Sequence, residues 1–183
     1  MVRLALWVLA GLILGGIIHL SVILLLPSYA ERDAWSRLAS IAPDQAFVAL
    51  DQDEQDLASA LQLDPALAYG VCQFDLARGP IFIDGKLPHS FWSIAIAARD
   101  GRVIYSTTSR AGSGDEIKIG VFNPAQSRLL AEEGLEIGQG FLIVNAPSNQ
   151  LTAIVRLWPE HEPLRPRYNE ALEQISCTHD AAI

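Results

Sequence analysis

The side chains able to act as base, nucleophile or ligand are few in this chain and lie far apart. The histidines are His19, His89, His161 and His179, and none are spaced as HxxxH or HExxH, the pattern that sets two imidazoles on one helix face around a metal. His89 and Ser90 have the types of a base and a nucleophile, but adjacent residues of a strand point to opposite faces. Gly112-Ser113-Gly114 has neither the GxSxG spacing of a nucleophile elbow nor the GK[ST] ending of a phosphate loop, and reads as a glycine-serine connection. Asp51, Asp53, Glu54, Asp56 and Asp64 are calcium-ligand types. A calcium loop starting at Asp51 would need glycine where Asp56 stands and glutamate where Gln62 stands. The stretch reads instead as a solvated loop entering a short helix, about Glu54 to Leu63, ended by Asp64-Pro65. No catalytic residue, metal site or cofactor follows from these patterns.

Binding is a different matter. Arg99, Arg102 and Arg110 flank a predicted hairpin and its following loop, and guanidinium groups suit anionic ligands. Asp100, Asp115 and Glu116 lie close enough in sequence to be the plainer partners. A small-molecule site assembled from distant residues would draw on His89, Tyr105 and Arg110. Trp92, Tyr105 and Trp158 have a simpler role as hairpin and core packing. Cys72 and Cys177 are too far apart for a CxxC redox pair, a CxxCH haem site or a zinc ribbon, which leaves one long-range disulfide or two buried thiols. A bridge would tie the start of the sheet to the C-terminal helix.

The elements that must position these residues begin with Leu4 to Leu26, 23 residues without a charged side chain. At about 1.5 Å per residue a helix of this length crosses a hydrocarbon core of roughly 30 Å. It exceeds the apolar core of a cleaved signal, about 7–15 residues, so a retained anchor is expected although Ser28-Tyr29-Ala30 resembles a cleavage site. Arg3 on one side and Arg32 and Arg37 on the other nearly balance the positive-inside count. The short leader and the cysteine pair favour an inner-membrane protein with its globular domain in the periplasm. Gly15-Gly16 and His19 lie within the apolar run, and neither makes a recognisable dimerisation or proton-relay motif.

Residues 30–69 read as a juxtamembrane amphipathic helix, Ala30 to Ile41 with Trp35, Leu38 and Ile41 at helical spacing, followed by an acidic linker. All 21 acidic residues follow position 30 against 12 of the 13 basic ones, so the polar part carries a formal charge of −9. Such a balance argues against nucleic acid as a partner, and against anionic lipid headgroups as a ligand of the domain as a whole.

From residue 70 to 183 the texture is β. Val71 to Leu76 and Pro80 to Ile83 are apolar runs, with Asp84-Gly85 marking a turn. Trp92, Ile94 and Ile96 alternate with Ser93, Ala95 and Ala97, Asp100-Gly101 interrupts, and Val103 and Tyr105 resume, which predicts a β-hairpin. Ile117, Ile119 and Val121 form the next strand, and Pro124 to Glu133 a helix with proline early and Gly134 beyond its end. Phe141 to Val144 and Leu151 to Leu157 read as a last pair of strands around Pro147-Ser148-Asn149, and Arg165 to Cys177 as a terminal helix. The predicted architecture is α+β: a transmembrane helix over residues 1–29, then an antiparallel, sandwich-like domain with a C-terminal helix.

Glu31-Arg32-Asp33-Ala34-Trp35, the run Cys72-Gln73-Phe74-Asp75-Leu76-Ala77-Arg78-Gly79-Pro80, and Phe91-Trp92-Ser93-Ile94 followed by Gly101 to Ser106 together resemble the domain-of-unknown-function 1254 family (DUF1254), in its short form with one membrane helix, common in alphaproteobacteria. The resemblance implies a companion membrane protein of the related DUF1214 family, since longer relatives carry both domains in one chain. It implies no activity. Two readings follow. One is a non-catalytic envelope subunit, which requires an exposed apolar or sheet-edge patch. The other is an enzyme or small-molecule binder, which requires a pocket with convergent polar groups.

Overall fold

The apolar run and the amphipathic segment after it form one uninterrupted helix, α1 (Val2–Ile41), in the computed structural model, which describes residues 2–42, 46–50, 61–111, 114–133 and 140–179. Its first 25 residues, Val2–Leu26, have a mean hydropathy of 2.5 and are long and apolar enough to cross a membrane. The remainder does not lie free as a separate interfacial helix. Leu38, Ile41 and Ala42 pack against Leu50, Tyr69 and Val71 of the sheet, and Trp35 lies under the Arg99 guanidinium, 5.7 Å from ring centroid to Cζ. Trp35, suited by type to a membrane interface, is recruited to the domain instead, where its backbone carbonyl also accepts a hydrogen bond from Gln73 Nε2.

Two sheets carry the domain. The first has the order β1-β2-β8-β4-β5, with β1 (Val48–Leu50), β2 (Ala68–Asp75), β8 (Gln150–Leu157), β4 (Trp92–Ala98) and β5 (Val103–Thr108) all antiparallel. The second has the order β7-β6-β3-β9, with β7 (Leu142–Asn145), β6 (Glu116–Phe122), β3 (Ile81–Lys86) and β9 (Ser176–Thr178). Alternation places Trp92, Ile94 and Ile96 of β4 and Leu151, Ala153, Val155 and Leu157 of β8 on the inner face, all buried against Ile81, Ile83, Ile117, Ile119 and Val121 of the second sheet. The Asp100-Gly101 hairpin forms as read, with Gly101 at φ 79°. The helix α2 (Pro124–Glu133) also forms as read. Its start is held by a reciprocal cap in which Asn123 Oδ1 accepts from Gln126 N–H at 2.9 Å and Gln126 Oε1 accepts from Asn123 N–H at 2.8 Å.

Several local readings give way to tertiary context. The β6–α2–β7 connection makes β6 and β7 parallel, so the domain is mixed rather than wholly antiparallel. β7 and β8 do not pair with each other, because the Pro147-Ser148-Asn149 turn passes from one sheet to the other. Asp84-Gly85 lies inside β3, where the bare glycine admits Ile175: a Cβ on Gly85 would stand 2.9 Å from Ile175 Cγ1 and 3.1 Å from its Cα. The terminal helix α3 stops at Glu173 (Arg165–Glu173), and Cys177 belongs to β9, paired with Ile83. β1 and the first residues of β2 come from the stretch read as a linker. The proposed helix of residues 54–63 falls largely outside the described residues, and Leu61 and Gln62 form a turn.

The two cysteines are joined, Sγ to Sγ at 1.99 Å, across 105 residues. The bridge links β2 to β9 and so staples one sheet to the other, rather than the sheet to a helix. On the same flank α3 buries Tyr168 and Leu172 against β1 and β2. Arg165 fastens this helix to the preceding loop, donating to the carbonyls of Leu67 at 3.1 Å and Pro65 at 2.6 Å and to the carboxylate of Glu162. That pairing holds the exposed Glu162 carboxyl below its ordinary range.

Candidate functional site

The flank opposite the disulfide is open. β5 ends one sheet and β7 ends the other, and between them lies a cavity of about 320 Å³. Tyr105 and Thr107 of β5 face it because they pair with Ile96 and Ile94, whose side chains point inward. Ile117 and Ile119 of β6 and Leu142 of β7 form the opposite wall. Trp92 also lines the cavity; it is 1 % exposed and held in place by its indole N–H donating to the Gly114 carbonyl at 3.0 Å.

The charged groups here pair with one another. Glu116 accepts from Lys118 Nζ at 3.2 Å and from Lys86 Nζ at 3.4 Å. The hydrogen bond from Lys118, reinforced by Lys86, holds its carboxyl below the ordinary range. The remaining polar groups are the hydroxyls of Tyr105 and Thr107. Among the described residues, no group of three or more His, Cys, Asp and Glu side chains is placed to hold a metal.

Of the three binding residues read from the sequence, only Tyr105 lines this cavity. His89 points into solvent, its side chain 97 % exposed, with Nδ1 3.2 Å from both oxygens of Asp115. Arg110 is exposed beside Ala111, which does line the cavity. Arg102 turns back to Asp100, Nε to Oδ2 at 3.9 Å, the local pairing expected from the sequence.

The open flank has a second feature that residue types did not announce. β7 bonds only to β6, so its other edge is unpaired among the described residues, and Leu142 and Ile143 on it are 44 % and 47 % exposed. The signal was present in Phe141-Leu142-Ile143-Val144: four consecutive apolar residues in a strand cannot all face one core. Such an edge offers backbone donors and acceptors together with an apolar surface to an added chain.

No family model matches the chain, and no curated protein matches it. Among solved structures it is similar to the VPA0106 protein from Vibrio parahaemolyticus, with 10 % identity and a TM-score of 0.58 over 81 % of this chain and 35 % of that one. It is also similar to an uncharacterised protein from Burkholderia cenocepacia, with 12 % identity and a TM-score of 0.47 over 73 % of this chain and 34 % of that one. The chain thus spans about a third of the length of these structures, and its likeness to the Vibrio protein is one of fold.

Proposed function

We propose that this protein is a single-pass inner-membrane protein whose β-rich domain stands in the periplasm and acts as a non-catalytic interaction subunit for another membrane protein. The observation that carries this reading is the unpaired β7 edge with Leu142 and Ile143 exposed beside the open flank. Anchoring through residues 4–26 is supported by the length and apolarity of Val2–Leu26. The periplasmic side is supported by the Cys72–Cys177 bridge, since disulfides persist in oxidising compartments. The resemblance to DUF1254 makes a DUF1214-type membrane protein the partner of choice. A fold that matches about a third of a longer chain fits a division of one architecture between separate proteins.

The test is crosslinking and affinity capture from mildly solubilised native membranes, with mass spectrometry of the product. A stoichiometric membrane protein is expected with the wild type and is expected to be lost with Ile143→Lys, whose melting temperature should be unchanged. Recovery of the wild-type protein alone would remove the subunit reading. The second reading, a small-molecule binder, rests on the cavity at Tyr105, whose volume of about 320 Å³ reaches the lower end of ligand pockets. It predicts that a ligand raises the melting temperature of the wild type and leaves that of Leu142→Trp, which fills the cavity, unmoved.

A further inference from the structure

The continuity of α1 determines which end of the sandwich faces the membrane, on the reading that residues 4–26 are an anchor. The helix runs against β2: Trp35 lies at Gln73, while Leu38, Ile41 and Ala42 pack toward Val71, Tyr69 and Leu50. The end holding Asp75, Gln150 and the β4–β5 turn is therefore the membrane-proximal end. Trp35 is nine residues past Leu26, about 14 Å along the axis. Arg99 bonds through its backbone N–H to the Gln150 carbonyl, and Gln150 is level with Asp75, two strand residues beyond Gln73 and so about 7 Å nearer the bilayer. The β4–β5 turn thus stands about 7 Å beyond the end of the apolar run, within the depth of a headgroup layer, which is about 5–8 Å on each side.

At this end lies a second cavity, of about 320 Å³, lined by Arg99, Asp100, Arg102, Ser148 and Gln150 among others. Two guanidinium groups face one carboxylate, an excess of positive charge on a domain that is strongly negative overall. Arg99 is held in position by Trp35 beneath it and by donating through Nη1 to Gln150 Oε1 at 2.8 Å. Guanidinium groups gathered in this way suit an oxyanion, which they bind by charge-assisted hydrogen bonds.

We infer that this cavity is a seat for a phosphate group, supplied by the headgroup of an anionic lipid. The site would orient the domain on the membrane as well as bind the lipid, leaving the open flank turned sideways toward a neighbour in the same bilayer.

Hydrogen exchange of the full-length protein in nanodiscs tests this. The discs would be phosphatidylcholine alone, phosphatidylcholine mixed with phosphatidylglycerol, and phosphatidylcholine with added inorganic phosphate. Severalfold slower exchange over residues 98–103 and 146–150 is expected in the phosphatidylglycerol discs, and is expected to disappear in Arg102→Gln. That variant should keep the wild-type melting temperature, since Arg102 is largely exposed. Slowing by inorganic phosphate without any effect of phosphatidylglycerol would overturn the lipid as the source. Insertion into every disc with no slowing anywhere would overturn the site. Failure to insert would overturn the anchor reading, and the lipid seat with it.

Discussion

Glu116 shows how one residue's chemistry divides between what neighbours in the chain determine and what the sheet adds. Lys118 is two residues along the same strand and so shares its face, which the alternation of β6 already implies. Lys86 arrives only through the register of β3 with β6, where it stands directly across from Glu116. Replacing Lys118 by methionine removes the larger of the two influences, and the Glu116 carboxyl should then titrate at higher pH, closer to its ordinary value. Carboxyl chemical shifts followed against pH would show this, and an unmoved midpoint would sink it. The sign for stability follows. A carboxyl whose pKa is lowered by folding stabilises the native state above its unfolded pKa, and that contribution is lost as the pH falls through the folded value. The ion pairs at Glu116 and Glu162 therefore support the domain at neutral pH and cease to do so in acid below the ordinary carboxylate range.

At the scale of elements, periodicity located most of the strands, the Asp100-Gly101 hairpin and α2, because each of these answers to its own residues. What it misassigned were places where another element supplies the reason. Gly85 looked like a turn, but it is strand, kept bare by Ile175 packing onto it. Gly85→Ala should destabilise the domain by about 1–3 kcal/mol, since one of the opposing atoms is backbone and cannot swing away. Urea denaturation would measure it, and a midpoint equal to that of the wild type would show that β9 and its approach shift freely. The juxtamembrane segment was read as a separate helix for a similar reason. Its amphipathic face matched an interface, but the nearest apolar surface is the outer face of β1 and β2, and the end of α1 docks there.

The molecule as a whole is closed on one flank and open on the other. The Cys72–Cys177 bridge joins the two sheets at the closed flank, next to α3. Its loop of 105 residues is long enough that the chain-entropy model assigns it about 5 kcal/mol. The paired change Cys72→Ala with Cys177→Ala should lower unfolding stability by about 3–5 kcal/mol, and reductant should do the same to the wild type. A loss under about 1 kcal/mol in either experiment would mean that the core alone holds the sheets together. The open flank has no such staple. The cavity at Tyr105 lies there, as does the edge of β7 that is unpaired among the described residues.

The apolar run, the acidic balance, the inward alternation of β4 and β8, the hairpin and the absence of any local catalytic motif were all legible in the amino-acid order. Each depends on residue type and near spacing, and the physics of burial and turn geometry acts at that range. Tertiary structure alone decided which strands share a sheet, that β6 and β7 run parallel, that Cys177 lies on a strand beside Cys72, and that Tyr105 lines a cavity whose lining does not include His89 or Arg110. These are contacts between residues tens of positions apart. They arise from the packing of complete elements, which local spacing does not reach.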